Sequence, residues 1–428
     1  MVIYVTLFIS TFFSIYHLIC SYKFTNRKIL HQVNQKGISI LVPCYNEAPI
    51  LKYTIEGLLN IEYDDIEIIF INDGSIDNTF KVLYEELDLY TCDLKTVYSM
   101  LDKVYGTYKS RKYPYIYVID KCNSGKANSL NVGVVYAQKE LIVTMDGDCV
   151  LEKKALLSMN NIFDDENVIA SGGVVHIMQN FKLDSKLKKI ILMQALDYIK
   201  GFYYYKTSLA YNDALSIISG AFGIFKKNII IEIGGFKSGL GEDIDITLRL
   251  QEYAQKHNKK VIFNRNAICF TECPETLPEL IKQRERWQKG FIDAILKNSR
   301  FVFKNILKSN VCFFITIDAL LSNSFATVIF IINIILIFMK LAYGYSLYVF
   351  IYYINTVIFN IICSIVAIKL AKKNIPHIKT KPLYFMIIYD ILFFQFLRIL
   401  FFFRGTVKYC FDNQHWEKVS RTNNNYKI

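Results

Sequence analysis

Four short apolar runs rich in β-branched residues set the frame of this chain: "ISILVP" (38–43), "EIIFIN" (67–72), "YIYVID" (115–120) and "LIVTMD" (141–146). Amphipathic helical stretches such as "PILKYTIEGLLN" and "GKANSLNVGVVYAQ" lie between them. Strands alternating with helices predict right-handed βαβ crossovers and a parallel sheet buried on both faces. In such sheets ligands bind beyond the carboxyl ends of the strands. Here those ends are polar, reading "CYNE", "NDGS", "DKCNSGK" and "DGD". Four polar strand ends are therefore expected to converge on one crevice.

Apolar tracts flank this α/β region, which runs over residues 36–295. Residues 1–22 open with an uncharged run, followed by Lys23, Arg27 and Lys28. About 20 apolar residues suffice to cross a bilayer. No basic segment precedes the run and no small-residue cleavage site follows it, so it reads as an anchor rather than a cleaved signal. The positive-inside rule then puts the α/β region in the cytoplasm. Residues 296–310 alternate basic and apolar side chains, the pattern of an interfacial amphipathic helix. Residues 311–403 hold three further apolar segments, at 311–339, 346–368 and 383–403, before a basic tail over 404–428. A full third crossing would carry Arg404, Lys408, Lys418 and Arg421 outside, so a re-entrant or interfacial third segment is preferred. It contains Asp390 and Arg398, eight positions apart and near one helical face. Charges at that depth face a partner helix or a watery path.

The 50 Lys and Arg against 38 Asp and Glu, a formal charge of +12, fit membrane anchoring. Nucleic acid is not an expected partner, because no recognition motif and no concentrated basic arm is present. The ten cysteines form no Cys-x-x-Cys pair and the six histidines no ligand spacing with them, which argues against structural zinc and for reduced thiols.

Asp146-Gly147-Asp148 ends the fourth apolar run. Both carboxylates can serve one site only if the strand stops there, and Gly147 permits the bend. Two carboxylates offer hard oxygen ligands suited to Mg²⁺ or Mn²⁺. Taken alone the pair is equally well a solvated turn.

A series of ordered blocks resolves the choice. "VPCYNE" (42–47), "NDGSIDNT" (72–79), "NSGKANSLNVG" (123–133), "DGD" (146–148), "SGAFGIF" (219–225), "GGF" then "GED" (234–243) and "PETLPELIKQRERWQKG" (274–290) follow one another along the chain. Together they resemble the family 2 glycosyltransferases, and within them the membrane-embedded processive polysaccharide synthases. Gln283, Arg286 and Trp287 match the Gln-x-x-Arg-Trp signature of polymer-making members. The resemblance implies a GT-A type nucleotide-sugar-binding domain with a Rossmann-like, mostly parallel sheet, joined to an α-helical transmembrane region.

It also implies roles. Tyr45 and Glu47 would contact uridine, and Asp73 the nucleoside, with Asn72 standing where many relatives carry a second aspartate. Lys126 would reach the nucleotide, Asp146 the sugar nucleotide, and Asp148 the metal on the diphosphate. Asp243 matches the catalytic base, with Glu242 beside it; without the other blocks, both acids would read as helix-start residues favoured by capping and dipole. Gln283, Arg286 and Trp287 would hold the acceptor end of the polymer, while Arg284 falls off that side and is expected at the surface. A Trp-Glu-Lys-Val-Ser-Arg element at 416–421 is similar to one that follows the last membrane segment in relatives.

The expected protein is a multi-pass plasma-membrane enzyme with a cytoplasmic catalytic domain. It would transfer sugar, N-acetylglucosamine from UDP-GlcNAc, with inversion to a growing β-linked polysaccharide and export the chain through its membrane segments. The sequence leaves open whether a small accessory membrane subunit completes the pore. Two enzyme alternatives are a non-processive transferase acting on a lipid-linked acceptor and a synthase of hyaluronan, chitin-like or cellulose-like polymer. A transporter with a nucleotide-sensing domain would explain the spans but not Asp243.

Overall fold

All four apolar runs become neighbouring strands. The computed structural model describes residues 2–24, 35–94, 103–181, 187–325, 327–328, 331–332, 335 and 346–411. Its strands are β1 (Ile38–Cys44), β2 (Ile66–Asp73), β3 (Leu89–Thr91), β4 (Val104–Ser110), β5 (Ile116–Lys121), β6 (Leu141–Met145), β7 (Cys149–Leu151), β8 (Val168–Ile177), β9 (Phe222–Lys226) and β10 (Lys260–Thr271). They form one sheet in the order β3-β4-β5-β2-β1-β6-β9-β8-β10-β7. The central block β5-β2-β1-β6 is parallel throughout, and its strands are enclosed: Ile40, Leu41, Val42, Ile68, Phe70, Val118 and Val143 are fully buried. Such strands need cover on both faces, which explains why they read as unbroken apolar runs.

The sheet as a whole is mixed, which corrects the expectation of a mostly parallel one. β9 lies antiparallel to both β6 and β8, and β3-β4, β4-β5 and β7-β10 are antiparallel too. The long connection from β8 carries the helix Lys189–Ile199 and a π-helical turn Lys200–Lys206 before β9 returns between β6 and β8. Short apolar runs report burial, not direction, so the sequence could not show this.

The segment 296–310 is also different from expectation. Helix Leu277–Lys297 ends inside it, a short helix Ser299–Lys304 follows, and a turn separates that from the next helix at Asn310. Phe301 and Val302 are buried, whereas Phe303 and Leu307 are exposed beside Lys304 and Lys308, so the apolar residues of this segment do not share one buried face.

Among the described residues, two helical segments are long and apolar enough to cross a membrane, Tyr353–Asn374 and Thr380–Phe411. The second is unbroken rather than re-entrant. Both of its ends touch the α/β domain. At the start, Ile375, Ile378, Leu383 and Met386 join the main core; at the finish, Arg404 and Lys408 pair with Glu285. A helix of this length spans roughly 48 Å at 1.5 Å per residue, and anchored at both ends it runs along the face of the domain. Part of the 311–339 segment and the whole 412–428 tail, with Trp416, lie outside the described residues.

Gly405 is the close-approach point of that helix. A Cβ there would sit 2.5 Å from Gln288 Cβ and 3.1 Å from the Glu285 carbonyl oxygen. Gly405→Val is expected to lower stability by about 1–3 kcal/mol, the usual cost of overpacking, read as an earlier thermal transition in detergent.

Candidate active site

The site is built from the polar ends of β2, β5 and β6 and the helix starts facing them. Asp73 and Lys121, the last residues of β2 and β5, lie side by side in register. Lys121 is fully buried, its Nζ 2.5 Å from Asp73 Oδ1, and it also donates to Ser124 Oγ at 2.6 Å and the Cys122 carbonyl at 2.7 Å. Asp73 in turn accepts the backbone N–H groups of Ser124 and Gly125 at 2.9 Å each. Its carboxylate therefore fixes the "NSG" turn that launches helix Lys126–Tyr136. One register position back, Asn72 donates to Asp120 Oδ1 at 2.6 Å, and its own Oδ1 is buried with no hydrogen-bond partner among the described residues. Asn72 Oδ1 is thus an open acceptor, beside an Asp73 carboxylate whose three donors leave one of its roughly four acceptor positions.

The β6 end closes as the sequence requires. Cys149 N–H donates to the Asp146 carbonyl at 3.1 Å, and Thr54 holds the Gly147 carbonyl at 2.7 Å. Glu47 packs against this turn: a Cβ on Gly147 would lie 3.2 Å from Glu47 Cγ. Glu47 is buried and Tyr45 half-buried on the segment following β1. Oxygens of Asp146 and Asp148 and the Cys149 sulfur lie within 4.8 Å of one another. Burial, the neighbouring Cys269 and the two acids hold the Cys149 thiol well above its ordinary range, so it stays protonated. The usable donors are two hard carboxylates, a set that fits Mg²⁺ or Mn²⁺ and not a thiolate-seeking metal.

Lys126 links this turn to the opposite wall. Its Nζ is 2.7 Å from Asp146 Oδ1 and 3.0 Å from Glu242 Oε1. Burial works against its charge, but Asp146 and Glu242 outweigh that and raise its pKa above the lysine value. Gly220 makes room: a Cβ there would be 2.7 Å from Lys126 Nζ. Glu242 and Asp243 open the helix Glu242–His257 behind Gly241. Asp243 accepts Gly220 N–H at 3.3 Å and Ile244 N–H at 2.9 Å. Burial pushes its pKa up to about 6, with the adjacent Glu242 adding to the effect.

Lys206 is a residue that sequence reasoning missed. It lies in the π-helical turn Lys200–Lys206, its Nζ 4.3 Å from the Phe202 ring centroid. Burial draws its pKa down to about 8, and Asp243 offsets part of that. The only trace in the sequence is a lysine closing the aromatic stretch "GFYYYK".

Helix Leu277–Lys297 docks on the Glu242 helix start through two glycines. A Cβ on Gly241 would meet the Gly290 carbonyl at 2.4 Å, and one on Gly290 would meet that of Leu240 at 2.6 Å. The helix carries a buried Gln283, a half-buried Arg286 and Trp287, which is 40% exposed. Arg284 is not at the surface as expected. Its side chain is 11% exposed, Nη2 sits 3.1 Å from Asp197 Oδ2, and the guanidinium lies 4.0 Å from the Trp287 ring centroid. The helix Lys189–Ile199, which no pattern linked to this face, supplies Asp197 and Tyr198; Tyr198 lies 6.0 Å from Trp287. Lys126, Asp146 and Glu242 are in direct contact, and Asp148 and Asp243 flank them; Asp73 joins through the 123–125 turn and Trp287 through the glycine contact.

Residues 39–234 match the model described as Glycosyl transferase family 2, and residues 141–397 the one described as Glycosyl transferase family group 2. The chain belongs to the family 2 glycosyltransferases. It is 29% identical over 290 residues, 67% of its length, to a poly-beta-1,6-N-acetyl-D-glucosamine synthase of Staphylococcus epidermidis, and 27% identical over 303 residues, 68% of its length, to one of Staphylococcus aureus strain COL. The matches span 62% and 66% of those relatives, less than two thirds of either. Among solved structures, a mannosyltransferase from Pyrobaculum calidifontis, in complex with GDP-Man and Mn²⁺, aligns over 96% of this chain and 98% of its own, with a TM-score of 0.55 and 14% identity. That likeness establishes a GT-A-like fold, and with the family match this chain is a glycosyltransferase.

Lys121→Met removes the cation from a buried acid. The expected loss is about 3–5 kcal/mol, the cost of stranding a buried charge, measured by denaturant or thermal unfolding in detergent.

Proposed function

We propose that this glycosyltransferase polymerises N-acetylglucosamine from UDP-GlcNAc into a β-linked polysaccharide and passes the chain to its membrane helices. The observation that carries the reading is the meeting of Asp146, Asp148, Lys126, Glu242 and Asp243 beside the helix that presents Trp287. The names of the staphylococcal relatives support the sugar and the polymer. Tyr45, Glu47, Asn72 and Asp73 line the nucleoside side, where the spare Asn72 oxygen is an acceptor for a base N–H. Asp146 and Asp148 would hold Mg²⁺ or Mn²⁺, which neutralises the diphosphate leaving group as the glycosidic bond breaks.

The remaining steps belong to the chain's own residues. Lys126, held between Asp146 and Glu242, places a fixed positive charge where a diphosphate would lie. Glu242 orients that lysine, which gives it a role distinct from its neighbour. Asp243 takes the proton from the acceptor hydroxyl, and a pKa near 6 suits a base working at neutral pH. Base and leaving group on opposite faces of the sugar give single displacement with inversion. Trp287 offers an exposed indole face on which the terminal acceptor sugar stacks, with Gln283 and Arg286 on the same helix as donors. The catalytic domain would be cytoplasmic, and the protein a multi-pass resident of the plasma membrane.

Detergent-solubilised protein given Mg²⁺ or Mn²⁺ and single UDP-sugars should release UDP and form polymer with UDP-GlcNAc, and EDTA should abolish both. No UDP release with any UDP-sugar would sink the reading. Asp243→Asn should cut turnover by about 10²–10⁴-fold while UDP binding, followed by calorimetry, persists.

The pH dependence follows from the same carboxylate. Burial raises its pKa, so the protonated, inactive form accumulates as pH falls through about 6. The kcat/KM of the wild type should be flat above that value and drop about tenfold per pH unit well below it.

A further inference from the structure

A chain of charged side chains runs from Trp287 to the long C-terminal helix. Asp197 stands at its centre. Arg284 reaches its Oδ2 at 3.1 Å, and Arg398 its Oδ1 at 3.2 Å through Nη2 and 3.3 Å through Nε. Arg398 also lies 2.5 Å from Asp390, and Asp390 accepts from Lys200 at 2.7 Å. At the other end the Arg284 guanidinium faces the Trp287 ring, a cation–π contact that fixes how the indole is presented. Three elements far apart in sequence are thus joined: the Lys189–Ile199 helix with its π-helical extension, the Leu277–Lys297 helix, and the Thr380–Phe411 segment.

Beside this chain is a cavity of about 240 Å³ bordered by Trp287, Gln288, Phe394 and Phe401 together with Arg284 and Asp197. Arg284 Nε and Nη2 are both buried there without a hydrogen-bond partner among the described residues, so Asp197 holds the guanidinium as an ion pair. A guanidinium held by one carboxylate and one indole, with a donor still to spare, is positioned by Asp197 rather than saturated by it. A carboxylate has two oxygens, and here each faces a different guanidinium, Oδ2 that of Arg284 and Oδ1 that of Arg398.

We propose that Asp197 is a positioning residue for the acceptor end of the polymer: through Arg284 it sets the Trp287 platform, and through Arg398 and Asp390 it ties that platform to the C-terminal helix. The proposal rests on the reading of Trp287 as the acceptor-sugar platform and adds what holds the platform in place. Asp197 touches neither donor nor acceptor. Its loss frees Arg284 from the geometry that orients the indole, so acceptor retention suffers before donor use does.

The test uses the full-length protein in detergent. With Trp416→Phe, Trp287 is the single tryptophan of the two in the sequence, and its emission reports the platform directly. Asp197→Asn should shift that emission, raise the KM for an N-acetylglucosamine oligosaccharide acceptor about tenfold, shorten the product, and leave the KM for UDP-GlcNAc within about twofold. Asp197→Glu, which keeps the charge, should recover much of the product length. Arg284→Gln, which leaves Asp197 intact, should reproduce the emission and product-length changes and guards against misfolding of the first variant. Unchanged emission and product length in both Asp197→Asn and Arg284→Gln would overturn the proposal, as would equal loss of donor and acceptor affinity. If the wild type turned over no UDP-sugar, the acceptor reading itself would fall, and the emission comparison would still decide whether Asp197 positions Trp287.

Discussion

The ammonium of Lys126, held between Asp146 at the end of β6 and Glu242 at the start of a helix, closes the site. One ammonium thereby ties the end of a strand to the start of a helix and fixes the positions of both carboxylates. Asp243, one residue on, is left as the acid whose proton is loosely balanced near neutral pH. Of two adjacent carboxylates, the lysine contacts only Glu242, and this difference is what the proposed division of roles rests on. The lysine is itself placed by the 123–125 turn, which Asp73 and Lys121 pin from below.

Much of the central fold could be read from residues alone. The runs at 38–43, 67–72, 115–120 and 141–146 are all central strands; they were legible because each is short, rich in β-branched residues and bounded by turn residues, as enclosed parallel strands are. Their polar ends do converge. What could not be read was direction and partnership: β9 inserts antiparallel between β6 and β8, and no local pattern encodes which strand a returning chain will choose.

The same limit explains the errors at the site. Arg284 was placed at the surface on a helical wheel, which knows one helix and not its neighbours; Asp197, from a helix with no motif to flag it, turns that face inward. Asp73 matches a nucleoside contact by motif, and the structure adds what the motif does not encode: its carboxylate also receives Lys121 and two backbone N–H groups. Motif position fixed where the residue lies but not what it spends its oxygens on. Asp390 and Arg398 went the other way: eight positions on a helix implied proximity, and they pair.

The contact between Gly241 and Gly290 has a consequence for how such an enzyme can change. Backbone meets backbone there, so neither helix can shift relative to the other without opening a void or forcing a clash. The helix that starts at Glu242, with the proposed base, and the helix that carries Trp287, the proposed acceptor platform, are fastened together at a point that leaves no room for a side chain. Diversity in what the enzyme accepts must then arise elsewhere, on the open indole face and the rim around it, while the spacing between proton abstraction and sugar stacking stays constant.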